Sequence, residues 1–153
     1  MATTITDSTL TVTVTEEITI NGVKNNSENE YTNASINEIF KRIVTCPASQ
    51  ETTVLQFATS VYAAPGDLAV GDCKYLRITN KDDTNSAKVA YVTTNTNFQV
   101  TLGPLDSHMF GATSSLGMGE TDTDPAFGTL ENLVQVIVQS GDAIDVEVFA
   151  ACA

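Results

Sequence analysis

Residues 132–151, NLVQVIVQSGDAIDVEVFAA, decide the predicted fold, because both halves of this stretch have the apolar pattern of strands. In the second half Ile144, Val146 and Val148 alternate with Asp145 and Glu147, which indicates a strand with one buried face. Ser-Gly-Asp separates the halves and is typical of a short β-hairpin connection. The stretch therefore predicts two antiparallel strands joined by a turn.

The first of these strands is apolar on both faces. Val134, Val136 and Val138 share one face, and Leu133 and Ile137 share the other. A strand of this kind is buried on both sides, and large exposed apolar patches are uncommon on soluble monomers. We therefore expect a neighbouring subunit to cover Leu133 and Ile137, which become the predicted contact residues.

Other parts of the chain show the same alternation. Strands are predicted near residues 10–20, 52–58, 74–79, 87–93 and 97–102. The pair Asn21-Gly22 indicates a turn. Residues 23–33 and 111–130 are polar or rich in Gly and Asp, so we expect loops there.

Residues 36–46 fit two patterns. The apolar residues occur at helical spacing, but the stretch also alternates as a strand does. Pro47 ends either element. The surrounding strands favour a strand over 39–46, with a helix as the alternative.

Length and composition favour one all-β domain. The chain has 153 residues, of which 23 are Thr and 15 are Val, types that pack well on a pleated sheet. About eight strand candidates without a long helix predict an antiparallel β-sandwich. We expect a jelly-roll-like topology first and an immunoglobulin-like one second, since the chain has no Trp. Residues 1–9 are predicted to form an N-terminal arm and residues 10–153 a single sandwich domain.

The charge of −12 argues against two classes of partner. Nucleic acids and anionic membranes are bound mainly by Lys and Arg, whereas this chain has only 7 basic residues against 19 acidic residues. No secretion signal or membrane-spanning run is recognisable in the sequence. Cys46, Cys73 and Cys152 form no CxxC pair, so we expect reduced thiols in a protein made in a cytoplasm.

The sequence contains no recognisable catalytic motif. His108 is the single histidine, and its neighbours Asp106 and Ser107 raise the possibility of a Ser–His–Asp arrangement. Neighbours in an extended chain point in opposite directions, so we expect an ordinary polar side chain instead. The sequence therefore predicts no enzyme activity and no cofactor.

Two acidic clusters raise the alternative of a calcium site. One is Asp82, Asp83 and Asn85, within KYLRITNKDDTNSAKVAYV (74–92), and the other is Glu120, Asp122 and Asp124. Neither has the Gly and the bidentate Glu of an EF-hand loop. We expect solvated loop tips without a metal, the first at the end of a hairpin whose packed residues are Leu76, Ile78, Val89 and Tyr91.

Three segments resemble small structural proteins of tailed-phage virions, notably those of marine and cyanobacterial phages. They are KYLRITNKDDTN (74–85), FQVTLGPLDSHMFG (98–111) and VQVIVQSGDAIDVEVFAA (134–151). The resemblance covers about residues 70–153, with weaker similarity at 10–22 and 39–47. It implies a jelly-roll-type decoration or cement protein on the capsid surface. Such a protein binds the major capsid protein, often as a homotrimer, and is made in the host cytoplasm.

Two other functions are compatible with the same residues. A tail or fibre component would bind a receptor or carbohydrate through the loop 111–130, because loops on rigid β scaffolds often carry binding. A non-viral binding module, secreted or cytosolic, is the third hypothesis. In the virion reading, Leu133 and Ile137 are the predicted oligomer or capsid contacts.

Overall fold

Every regular element in the described chain is a β-strand. The computed structural model describes residues 6–58, 68–111, 117–118 and 130–153. The fourteen strands are β1 Ser8–Glu16, β2 Thr19–Ile20, β3 Val23–Lys24, β4 Ser27–Ile36, β5 Glu38–Cys46, β6 Thr52–Gln56, β7 Cys73–Asn80, β8 Ala87–Val92, β9 Asn97–Leu102, β10 Ser107–Gly111, β11 Gly117–Met118, β12 Glu131–Asn132, β13 Gln135–Gln139 and β14 Ile144–Cys152. Among these residues there is no helix that is long and apolar enough to cross a membrane.

Two four-stranded antiparallel sheets form the body of the protein. The β14 sheet has the strand order β10-β7-β14-β5, and the β13 sheet has the order β6-β13-β8-β9. All pairings within them are antiparallel. The predicted antiparallel β-sandwich is therefore confirmed.

The core lies between the inner faces of the two sheets. Val146 and Val148 of β14 are fully buried there, as the alternation predicted, and so are Val136 and Val138 of β13. Each buried side chain of this size stabilises the fold by roughly 1.5–3 kcal/mol. The predicted packed residues Leu76, Ile78, Val89 and Tyr91 are also in this core.

Both predicted hairpins at 74–92 and 132–151 are wrong in their pairing. The two strands of each stretch exist, but β7 and β8 belong to different sheets, and so do β13 and β14. The connecting segments 81–86 and 140–143 pass from one sheet to the other. Alternation shows that a strand has a buried face, but two strands facing each other across a core alternate in the same way as two strands of a hairpin.

The first 36 residues contain a feature that the sequence analysis missed. Strands β1 and β4 pair along their length, and β2 and β3 continue the pairing to the turn at Asn21-Gly22. Asn21 and Gly22 have φ angles of 50° and 79°, as a type I′ hairpin turn requires. Residues 8–36 therefore form one long two-stranded hairpin, which we call the β ribbon.

The loop predicted over residues 23–33 is wrong. This segment contains β3 and most of β4, although it is polar. It is paired with β1, with Tyr31 opposite Val12, and most of its side chains are exposed. Backbone pairing, and not burial of an apolar face, forms this strand.

Other boundaries follow the predictions to different degrees. Residues 36–46 are extended, so the strand is confirmed there and the helix is wrong. Strand β1 begins at Ser8, inside the segment predicted as an arm, whereas residues 1–5 lie outside the described residues. Of the loop predicted at 111–130, the structure describes Gly111, Leu130 and the strand Gly117–Met118, which pairs with β12.

Candidate functional site

The base of the β ribbon lies on the outer face of the β14 sheet. A second apolar cluster forms there, apart from the core between the sheets. It consists of Ile36, Tyr75 and Ala151, with Leu10, Val12 and Phe149 packed against them. The rings of Tyr75 and Phe149 meet edge to face, with their centroids 5.9 Å apart. This cluster fixes the base of the ribbon to the body.

The tip of the β ribbon is apolar and uncovered. Ile18, Ile20 and Val23 are 51%, 54% and 61% exposed, and we call these three residues the apolar tip. The predicted buried face of residues 10–20 is therefore wrong beyond Val12. A two-stranded ribbon can shield its apolar side only where a further layer lies on it, and here that layer ends at the base.

Acidic residues outnumber basic ones near this tip. Glu16 and Glu17 precede Ile18, Glu28 lies opposite Thr15 on the returning strand, and Lys24 follows Val23. All four side chains are exposed. The tip therefore combines apolar side chains with a net negative charge.

An open groove of about 520 Å³ separates the ribbon from the sheet beneath it. One wall is formed by residues 11–15 of β1, and the floor by Tyr75, Arg77, Met109 and Phe149. The Tyr75 hydroxyl donates a hydrogen bond to Met109 Sδ at 3.3 Å, and burial raises the pKa of Tyr75. The ribbon therefore extends over the part of the outer face formed by β7, β10 and β14.

Two cations on the outer face share one carboxylate. Arg77 Nη2 lies 2.6 Å from Glu147 Oε1, and Lys41 Nζ lies 3.7 Å from Glu147 Oε2. The Arg77 guanidinium also lies 6.0 Å from the centre of the Phe149 ring. Arg77, Lys41 and Glu147 together carry a net charge of +1, within a chain whose net charge is −12.

Strand β5 presents a second uncovered apolar surface on the same outer face. Ile39 and Ile43 are 60% and 56% exposed, and Lys41 lies between them. We call Ile39, Lys41 and Ile43 the β5 patch. The strand is also an edge of the β14 sheet, so one side of its backbone has no partner strand within the described chain.

The structure separates the two predicted contact residues. Leu133 is only 2% exposed and belongs to the core. It precedes β13 in a segment fixed by bonds from Val134 N to Val92 O and from Phe57 N to Val134 O, so strand alternation does not extend to it. Ile137 is half-buried on the outer face of the β13 sheet, on the side opposite to Val136 and Val138, as the alternation along the strand predicted. Its contact with another subunit or with a capsid stays a prediction.

His108 is part of an aromatic cluster between the edge strands β9 and β10. Its Nδ1 lies 2.9 Å from the Tyr91 hydroxyl oxygen, and Phe110 and Phe98 pack around the two rings. Burial lowers the pKa of His108 and raises that of Tyr91. Asp106 bonds back to Gly103 N, and Ser107 bonds to Thr79 Oγ1. The three neighbours therefore do not form a Ser–His–Asp arrangement.

The first acidic cluster makes a turn. Asp82 Oδ1 accepts hydrogen bonds from the backbone N–H groups of Thr84 at 2.9 Å and Asn85 at 2.6 Å. These bonds lower the pKa of Asp82. Across the described ranges, no three His, Cys, Asp or Glu side chains are grouped to hold a metal ion. Glu120, Asp122 and Asp124 lie outside the described residues.

A cleft of about 500 Å³ opens beside β12. Its lining includes Phe57, Asn95, Glu131 and Leu133. Glu131 accepts hydrogen bonds from Thr93 Oγ1 at 2.6 Å and from the Asn95 backbone N–H at 3.1 Å, which lower its pKa. The cleft thus combines an apolar floor with a fixed carboxylate.

All three cysteines are buried as free thiols. Cys73 and Cys152 are direct neighbours on β7 and β14. Hydrogen bonding between these thiols lowers the pKa of Cys73 and raises that of Cys152.

Scans of protein-family models, curated proteins and solved structures returned no match to this chain. The surfaces described above therefore carry the functional proposal. Sequence reasoning missed the apolar tip and the β5 patch. The signal that could have revealed the ribbon was Asn21-Gly22, a type I′ hairpin pair, between two segments of similar length.

Proposed function

We propose that this protein is a structural subunit of a tailed-phage virion, a decoration or cement protein that binds the major capsid protein lattice at the capsid surface. The observation that carries the proposal is the pair of uncovered apolar surfaces on a rigid β-sandwich, the apolar tip and the β5 patch. Surfaces of this kind mark sites of protein association, which a decoration subunit needs both between its own copies and towards the capsid. The resemblance of residues 70–153 to small virion proteins supports the same role.

The strand order supports a jelly-roll-type assignment of the sandwich. Among the eight strands of the two sheets, only β8 and β9 follow each other in sequence within one sheet. The other connections pass between the sheets and produce the orders β10-β7-β14-β5 and β6-β13-β8-β9. Two interleaved four-stranded sheets of this kind are typical of a double Greek key.

The proposal assigns a mechanical role. A cement subunit holds neighbouring capsid proteins together, so its free energy of binding is added to that of the lattice. The body supplies stiffness, because each of its inner strands is paired on both sides. The role requires neither a catalytic residue nor a cofactor, and it places the protein, made in the host cytoplasm, on the assembled virion as a homotrimer.

Labelling of intact particles tests the position. An antibody against the protein, carrying a gold marker, should decorate the whole head in electron micrographs. Particles without any label, from lysates in which the protein is abundant, would contradict the proposal.

The cleft beside β12 favours a second candidate function, a tail or fibre component that binds a receptor or carbohydrate. Ligand clefts commonly combine apolar walls with a few fixed polar groups, and this cleft places the fixed carboxylate of Glu131 above the nearly buried side chains of Phe57 and Leu133. Gold label confined to one vertex or to the tail would support this candidate over the cement protein.

A further inference from the structure

Among the described residues, the apolar tip lies on the ribbon and the β5 patch lies on the β14 sheet, and both are uncovered. The tip is formed by Ile18, Ile20 and Val23, and the patch by Ile39, Lys41 and Ile43. All five apolar side chains are more than half exposed. Large exposed apolar surfaces on soluble proteins mark interaction sites.

Within one copy, the two surfaces do not cover each other. The base of the ribbon is fixed by Tyr75 and Phe149, and residues 11–15 line the groove above Arg77 and Met109. This placement directs the ribbon over β7 and β10, whereas β5 forms the opposite edge of the same sheet. Among the described residues, no segment of the same copy covers the β5 patch, which leaves the patch open to a second copy.

The two surfaces match in charge as well as in polarity. Glu16, Glu17 and Glu28 lie near the tip against the single cation Lys24, which leaves the tip with a net negative charge, and Lys41 lies at the centre of the patch. Lys41 keeps 60% of its side chain exposed although it lies near Glu147. Since each copy carries a net charge of −12, two copies repel each other on average. The β5 patch is a site at which an acidic ribbon gains attraction.

We propose that the apolar tip of one copy docks on the β5 patch of a second copy. Ile18, Ile20 and Val23 would pack against Ile39 and Ile43, and the tip carboxylates would lie near Lys41. The contact is head to tail, because the two copies contribute different surfaces. Such contacts close into a ring when the rotation between copies allows it. This inference concerns self-association alone and does not depend on binding to a capsid.

Complementation between two defective variants tests the contact. In the tipless variant, residues 15–28 are replaced by Asn-Gly, which joins Val14 to its cross-strand partner Asn29. It keeps the β5 patch and the base of the ribbon. The second variant, Ile43→Asp, keeps the tip and places a carboxylate in the patch.

We expect the unmodified protein to form oligomers at micromolar concentration, measured by light scattering and analytical ultracentrifugation. Each variant alone should associate at least about 100-fold more weakly, because a desolvated carboxylate or a missing tip removes the contact. An equimolar mixture should form a single one-to-one pair, since one variant supplies the tip and the other the patch. Leu105→Asp is the matched control, because Leu105 is 63% exposed and outside both surfaces, and it should leave assembly unchanged.

Three results would overturn the inference. They are a monomeric unmodified protein, a tipless variant that assembles as the unmodified chain does, and a mixture that does not pair. Circular dichroism verifies that the variants are folded. If Ile43→Asp unfolds, Ile39→Asp replaces it, because Ile39 lies beside Ala151 and away from the Glu147 carboxylate.

Discussion

Ile20 and Val23 face each other across the tip of the β ribbon, and both side chains are more than half exposed. Cross-strand apolar pairs stabilise a hairpin most when a further layer covers them. Here the covering layer reaches only the base of the ribbon, at Tyr75 and Phe149. The ribbon is therefore anchored at one end and free to meet a partner at the other.

This arrangement predicts different costs of substitution along the ribbon. Tyr75→Ala should lower the free energy of unfolding by about 2–4 kcal/mol, because it leaves a cavity under the base. Ile20→Ser together with Val23→Ser should change it by less than about 0.5 kcal/mol per site in the monomer. Urea unfolding of dilute protein measures both. Equal losses would mean that the tip packs on the body.

Asn80 is predicted to be a stabilising residue at the junction of the two sheets. It is fully buried, and its Nδ2 donates to the carbonyl oxygens of Asn85 at 2.7 Å and Gly103 at 2.9 Å. Its Oδ1 accepts a bond from Asp82 N at 3.1 Å. Asn80→Ala leaves these backbone groups without their partner and should cost about 2–3 kcal/mol.

The control for Asn80 is Asn29→Ala, at an exposed position of the ribbon. It should have an effect near zero on the unfolding midpoint in urea. An Asn80→Ala variant as stable as this control would contradict the role of Asn80.

Neighbouring residues of β13 provide a matched test of the outer face. Val138 is fully buried and Ile137 is half-buried. Val138→Asp should abolish the β circular-dichroism signal, since an unpaired carboxylate in the core costs several kcal/mol. Ile137→Asp should keep that signal, and, if Ile137 also contacts a neighbouring subunit or the capsid, it should weaken that association. Loss of folding in both variants would place Ile137 in the core.

Stability is predicted to fall as the pH is lowered through the range in which His108 titrates. Burial lowers the pKa of His108 in the folded state, so the unfolded state binds the proton more readily. The neutral ring of His108 contributes its full stabilising free energy above the pKa of the unfolded state, about 6.5. This contribution is lost as the pH falls towards the lower pKa of the folded state. The pKa values of Glu131 and Asp82 are also lowered in the folded state. The stability that these two carboxylates contribute is lost only at lower pH, as the pH falls below their ordinary pKa values of 4.5 and 3.8.

The measurement is the urea midpoint between about pH 7.5 and pH 5. His108→Gln should have a flatter profile over this range. An identical slope in the variant would remove His108 as the cause.

The fold class followed from the sequence, but the partners of the strands did not. Alternation correctly located the buried residues Val146 and Val148, because burial depends on one face of one strand. The pairing of β7 with β8 and of β13 with β14 was predicted wrongly, because short polar connections occur both in hairpins and at the corners between two sheets. A hydrogen bond such as that from Asn80 Nδ2 to Gly103 O, which joins two loops 23 residues apart, belongs to the corner and has no local sequence pattern.

The candidate surfaces were predictable only in part. Ile39 and Ile43 belong to a predicted strand, but which face of that strand lies outward depends on the neighbouring sheet. The ribbon was missed because β4 is polar and is formed by pairing with β1. Leu133 was placed on the wrong side because backbone bonds at Val134 interrupt the strand period before β13 begins.

The copy number of the protein in purified virions tests the proposed function most directly. Quantitative mass spectrometry of particles, with the major capsid protein as the internal reference, measures it. The cement role predicts many copies, in a fixed ratio to the capsid protein. A protein that is present in the lysate of infected cells but absent from purified particles would contradict the role.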